Sequence, residues 1–213
     1  MRAIVTRHYK TRYNEGDRIM GWFDSPRGRD WKSDIDFVDA RLRKREIEFD
    51  RVYSSDLERS RQTALIHARN LGIGEVDETP ELKEINYGKL EKMKKTWVSR
   101  FFPQHKKNPD LVYPSGESFR QMQRRSVGFI SSLAQTYAGE TILIVTHAGV
   151  IRGIISHFLE LDYTAQLEQK ISFRYIGDFQ FNGGRCKRYD ELGEPSGFVS
   201  GGMIEIPSCR QSE

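Results

Sequence analysis

Three short apolar runs of this chain end on residues that can do chemistry. Ala3 to Thr6 runs into Arg7-His8, Arg51 to Ser54 is followed by Arg59, and Thr141 to Thr146 runs into His147 in "LIVTHAGVIRG". Taken singly, each has an ordinary structural reading: His8 as a surface residue, Arg59 as a cation on a helix face, His147 as a hydrogen-bonded core histidine. Taken together, two imidazoles and two guanidiniums at the ends of parallel strands make one cationic pocket. Its natural guest is a doubly charged phosphoryl group. Transfer of such a group rests on positioning and on neutralising its oxygens, and the planar donors of Arg grip two oxygens at once. Ala148 and Gly149, small residues where a helix is predicted to start, let the backbone approach an anion closely.

The same runs show which elements must position these groups. Rich in Val, Ile and Tyr and ended by polar residues, they read as buried strands. Between them lie helical patterns: Ile35, Val38 and Leu42 behind a Ser33/Asp36 capping pair, and Phe119, Met122, Ile130 and Leu133 behind Ser118 and Gln121. Strands alternating with helices predict a layered α/β domain with a mostly parallel sheet, its ligands beyond the C-terminal strand ends. From Glu91 to Asn108, lysines and Arg100 interleave with Trp97, Phe101, Phe102 and His105. That stretch reads as an inserted lid, or as an amphipathic helix with its lysines in water, in preference to a nucleic-acid surface. Asn182-Gly183-Gly184 between alternating segments predicts a hairpin.

Composition bounds the possibilities. The chain has 213 residues, 37% hydrophobic and 30% charged, which suits one well-buried domain with a polar surface. A formal charge of +4 fits an anionic partner and fits a solvated basic surface equally well. Cys186 and Cys209 give neither a disulfide framework nor zinc-site spacing, which points to a reducing compartment. The apolar runs are short or broken by His, Arg and Gly, so neither a signal peptide nor a membrane span is expected, and the expected location is cytoplasmic. A cysteine phosphatase would need Arg six residues after Cys186, where Leu192 stands. A Gly-x-Ser-x-Gly elbow is absent. Asp34-x-Asp36 has no apolar strand before it.

The motifs also carry a family resemblance. "TRHYKTRYN" is similar to the Arg-His-Gly motif of the histidine phosphatase superfamily, the phosphoglycerate mutase-like enzymes. "RIMGWFDSP", "VYSSDLERSRQTA", "ELKEINYGKLE", "PSGESFRQMQRR" and "VTHAGVIRGI" resemble its later motifs, in the family's order, from Arg7 to about Gly153. The resemblance implies a three-layer α/β/α fold with a mostly parallel central sheet and a small inserted helical cap: one domain over residues 1–213, with the cap at 91–117. It implies that His8 is the nucleophile, that Arg7, Arg59 and His147 hold the phosphoryl group, and that Asn14, with Ala148, contacts it. Glu84 becomes the proton donor; Glu81 and Glu91 are nearby alternatives, and the register with Tyr87-Gly88 selects Glu84. Attack needs a neutral imidazole, which neighbouring arginines favour. No metal or cofactor is expected.

The expected activity is metal-independent hydrolysis of a small phosphorylated metabolite through a phosphohistidine. The rivals are a mutase, which usually has a longer cap than Lys92 to Ser115 allows, and a phosphate-binding module without turnover. Tyr9 stands where the family usually has Gly; its ring must narrow the pocket or point elsewhere, and a Gly-only backbone conformation there would be strained. Lys94, Lys95 and Arg100 are expected to meet further negative charge or a ring on the substrate. The expected partner is that small substrate, with no nucleic acid and no membrane; a homodimer is compatible with the sequence.

Overall fold

A computed structural model describes residues 1–197 and 203–206; Cys209 lies outside them. In chain order the elements are β1 (Arg2–Arg7), α1 (Arg12–Glu15), α2 (Trp31–Lys44), β2 (Arg51–Ser55), α3 (Glu58–Leu71), β3 (Val76–Thr79), α4 (Lys95–Phe101), α5 (Phe119–Thr136), β4 (Thr141–Thr146), α6 (Ala148–Phe158), α7 (Tyr163–Glu168), β5 (Ile176–Asn182), β6 (Arg185–Glu191) and β7 (Ile204–Glu205). They build a seven-stranded sheet in the order β3-β2-β4-β1-β5-β6-β7. The pairs β1 with β4, β4 with β2 and β2 with β3 are parallel; β5, β6 and β7 extend the sheet antiparallel.

The central strands are apolar without alternation because both of their faces are covered. Ala3 and Val5 of β1 and Ile142 and Ile144 of β4 face the layer of α5 and α6, against Met122, Ile130, Ile151 and Ile155. Ile4, Leu143 and Val145 face the other layer, against Val38 and Leu42 of α2 and Ala64 and Ala68 of α3. The three-layer α/β/α arrangement is thus present. Each large aliphatic side chain buried here contributes about 1.5–3 kcal/mol relative to exposure.

Ser118 and Gln121 form the predicted capping box of α5. The hairpin is also where it was expected, Gly183 and Gly184 joining β5 to β6 with φ of 56° and 76°. The start of α2 differs. The helix begins at Trp31, after Asp30 in a left-handed conformation, and Ser33 lies inside the first turn with its Oγ donating to Asp30 O at 2.9 Å. Of the 91–117 segment, α4 and a short 3₁₀ turn at Pro103–Lys106 are regular. Val98 is buried against Ile19 and Leu90, and Lys92 N donates to Ile19 O at 2.7 Å, which ties the segment to the loop after α1. Cys186 is buried, and burial raises its thiol to about 12, far from the reactive range. Among the described residues no helix is long and apolar enough to cross a membrane.

Candidate active site

Strand pairing alone places the two histidines together. Arg7 of β1 lies opposite Thr146 of β4, and His8 N continues the ladder to Thr146 O at 2.9 Å. The residues that follow, His8 and His147, therefore sit side by side with ring centroids 5.1 Å apart. On the other flank of β4, Ser54 of β2 pairs with Val145, so Ser55 Oγ reaches His147 Nε2 at 2.9 Å. The first turn of α3 then delivers Arg59, which is 1% exposed.

His8 Nδ1 lies 2.6 Å from Tyr9 O. A carbonyl can only accept, so Nδ1 carries the proton and Nε2 keeps its lone pair. Burial, then Arg59 and Arg7, push His8 well below the usual histidine range; burial and Arg59 do the same to His147. At neutral pH His8 is an uncharged imidazole with one free nitrogen.

The cations are held by backbone oxygens. Arg59 Nη1 donates to Asp24 Oδ1 at 2.8 Å and Phe23 O at 3.1 Å, and Nη2 donates to Gly21 O at 2.7 Å. Asp24 also accepts from Glu58 N at 3.0 Å, capping α3 from outside the helix. The "GWFD" stretch is thus a cradle for Arg59. Arg7 donates to Ile171 O at 2.6 Å with its guanidinium 3.7 Å from the Phe173 ring centre. Burial and then Arg152 pull Arg7 down to about 9, still cationic at neutral pH. Arg7 Nε, Arg59 Nε and His147 Nδ1 are buried without a hydrogen-bond partner among the described residues, groups that an anion's oxygens would satisfy. Asn14 lines the same cavity; its carbonyl oxygen accepts from Thr11 N at 3.1 Å, so its NH₂ end is left for a ligand.

Among the described residues, Glu84 is the one acidic residue lining this cavity of about 380 Å³. Its Oε2 accepts from Gly149 N at 3.2 Å, in the N-terminal turn of α6. A Cβ on Gly149 would stand 2.2 Å from Glu84 Oε1. Gly149 therefore makes room for the carboxylate of the protein itself, which differs from the expected role of receiving a ligand. Ile85 N donates to Oε1 at 3.0 Å. Glu84 O is gripped by Trp22 Nε1 at 2.8 Å and Arg125 Nη2 at 3.0 Å. Of the alternatives, Glu91 accepts from Trp22 N at 2.7 Å, and neither it nor Glu81 lines the cavity.

The expected set is thus assembled: Arg7, His8, Asn14, Arg59, Glu84 and Ala148 line the cavity, and His147, fully buried and not itself a lining residue, packs beside His8. Tyr9 does not line it. Its ring packs 5.6 Å from Trp31 and its φ is not positive, so the expected strain is absent. Of Lys94, Lys95 and Arg100, only Lys95 lines the cavity, joined by Lys106. Residues that were missed are Arg152, Ser55, Trp22 and Arg125. Arg152 had a signal: it lies four residues after Ala148 on α6, on the same helix face.

Residues 3–188 match the histidine phosphatase superfamily (branch 1). The chain is 35% identical over 161 residues to a metal-independent phosphoserine phosphatase of Arabidopsis thaliana, covering 71% of this chain and 66% of that protein, just under two thirds of its length. It is 31% identical over 157 residues to phosphoglycerate mutase-like protein 4 of the same plant, covering 71% of this chain and 68% of that one. Among solved structures, Bacillus stearothermophilus YhfR superposes with a TM-score of 0.77 at 26% identity, covering 87% of this chain and 93% of that one. Motif order, the paired histidines at the strand ends and the match over nearly the whole chain agree: this chain belongs to the histidine phosphatase superfamily.

Proposed function

We propose that this chain is a metal-independent phosphomonoesterase that works through a phosphohistidine on His8. The observation that carries the reading is the fixed tautomer of a neutral, buried His8, beside His147 and in one cavity with Glu84. His8 Nε2 attacks phosphorus and the P–O bond to the leaving group breaks in line. Glu84, entering as the acid, gives its proton to the departing oxygen. The resulting carboxylate then takes a proton from water as that water attacks the phosphohistidine, freeing His8 and inorganic phosphate and restoring protonated Glu84. Arg7, Arg59, His147 and Asn14 hold the equatorial oxygens throughout, and Ala148 lines the same cavity. Preorganised donors of this kind supply most of the catalysis of phosphoryl transfer. The arginines supply the positive charge that a metal ion supplies elsewhere.

The substrate is a small phosphorylated metabolite; no nucleic acid or membrane partner is invoked, and the setting is cytoplasmic. The relative named a metal-independent phosphoserine phosphatase supports the metal-free hydrolase. The relative named phosphoglycerate mutase-like supports a second reading, in which the phosphoryl group returns to another hydroxyl of the bound molecule. Incubation with p-nitrophenyl phosphate in the presence of a chelator tests the proposal. Hydrolysis abolished by His8→Ala is the expected result. No release of phosphate from any monoester would leave a binding module, and an isomerised product in place of free phosphate would establish the mutase.

A further inference from the structure

The chemistry at His8 leaves one half-buried carboxylate beside the site without a role. Glu91 does not line the cavity, yet its Oε1 accepts from Trp22 N at 2.7 Å. Burial raises its pKa, while the amides of Trp22 and Phe23 pull it the other way, as backbone donors do to the carboxylate they face. The turn is shaped to receive that carboxylate. Gly21 has a φ of 56°, and a Cβ there would stand 2.3 Å from Glu91 Oε1. Only glycine allows both the left-handed backbone and the space that the carboxylate fills.

That turn touches both halves of the reaction centre. On one side, Gly21 O accepts from Arg59 Nη2 at 2.7 Å and Phe23 O accepts from Nη1 at 3.1 Å. On the other, the indole of Trp22, the residue between them, donates from Nε1 to Glu84 O at 2.8 Å. The ring is 40% exposed, but Lys83 Nζ lies 4.6 Å from its centre and is itself paired with Asp56 at 2.9 Å. Glu91 also stands at the root of the inserted segment, where Lys92 N donates to Ile19 O at 2.7 Å and Ile19 N donates to Met93 O at 2.9 Å. Its backbone is therefore anchored next to the turn that its carboxylate holds.

We infer that Glu91 is a positioning residue for the phosphate-binding cation and the proton donor together: it sets the Gly21-Trp22 turn, which aims Arg59 through Gly21 O and holds the Glu84 loop through the Trp22 indole. The inference rests on the phosphatase reading for the roles of Arg59 and Glu84. Two measurements separate its two ends. Orthovanadate binding by calorimetry reports the Arg59 end without turnover. Rapid quench in the first turnover reports the Glu84 end, as the rate of alcohol release from propyl phosphate relative to p-nitrophenol release from p-nitrophenyl phosphate.

Glu91→Ala should weaken vanadate binding by about tenfold and slow alcohol release by about 2–10-fold more than p-nitrophenol release. Glu91→Gln keeps an oxygen for Trp22 N and should restore both. Trp22→Phe removes only the Nε1–H donor, so it should shift the ratio of the two release rates with little effect on vanadate. Should Glu91→Ala not fold, Glu91→Asp, which draws the carboxylate back by one methylene, takes its place. A folded variant that melts at lower temperature but moves neither measurement reduces Glu91 to a structural tie and overturns the inference. So does Glu91→Gln as impaired as Glu91→Ala. Failure of the unaltered protein to turn over either ester would instead contradict the phosphatase reading, and vanadate binding to Glu91→Ala would still decide whether Glu91 sets Arg59.

Discussion

Tyr9 sits directly after the nucleophile, yet its ring belongs to another part of the molecule. It packs edge-on against Trp31 at 5.6 Å with the Arg27 guanidinium 5.4 Å from its centre, while its backbone carbonyl holds His8 Nδ1. Tyr9→Ala keeps that carbonyl and removes the packing. It should lower unfolding stability by about 3 kcal/mol, as large-to-small changes at buried aromatics do, with kcat for p-nitrophenyl phosphate near that of the unaltered protein; a collapse of kcat in a folded variant would show that the ring serves the site. Glu84 carries the opposite expectation. In the first turnover, Glu84→Gln should slow alcohol release from alkyl phosphates by about 10²–10⁴-fold and p-nitrophenol release much less, since that leaving group needs little protonation. Equal losses on both would remove the acid role.

At the scale of elements, what could be read beforehand follows from burial. β1 and β4 are covered on both faces and show as unbroken apolar runs, so Arg7, His8 and His147 could be placed at their ends from the residues themselves. Glu84 could not, because it sits on a loop without periodicity, and only the resemblance singled it out. β3, with the sequence Val-Asp-Glu-Thr, is an edge strand whose middle residues are exposed, and nothing in its pattern distinguishes it from a turn. Arg125 looks like any helix-surface cation. Only the fold shows α5 pinned through it to the acid loop: it donates to Glu81 O at 2.7 Å and Glu84 O at 3.0 Å while paired with Glu117 at 2.7 Å. Gly88 serves the same junction, with φ of 52° and an added Cβ only 2.3 Å from Pro114 O. Arg125→Met should therefore act through Glu84, with a loss larger on alkyl phosphates than on p-nitrophenyl phosphate and partly restored by Arg125→Lys. A uniform loss across leaving groups would reduce Arg125 to a structural tie.

For the whole molecule, the site has a cost in acid. His8 and His147 are buried with their folded pKa values well below the ordinary one, burial being the main cause for both. Above about pH 6.5, the unperturbed value, both states hold these rings neutral and nothing is lost. As pH falls below that, the unfolded chain takes up protons that the folded one refuses. Stability then declines by up to about 1.4 kcal/mol per pH unit for each histidine. Urea midpoints measured from about pH 7.5 down to about pH 5 should show the decline, and it should flatten in His8→Asn/His147→Asn. An unchanged slope in that variant would assign the acid sensitivity to other groups. The same burial keeps His8 uncharged, so stability in acid and nucleophilic readiness stem from one feature of the fold.

The central claim is that His8 Nε2 carries the phosphoryl group. Mixing enzyme with excess p-nitrophenyl phosphate, quenching in alkaline denaturant within the first turnovers and sequencing the peptides by mass spectrometry tests it directly. One acid-labile phosphoryl group should be found on the peptide containing His8, present in Glu84→Gln at higher occupancy and missing from His8→Ala. Steady hydrolysis with no labelled His8, or with the label on another residue, would contradict the claim.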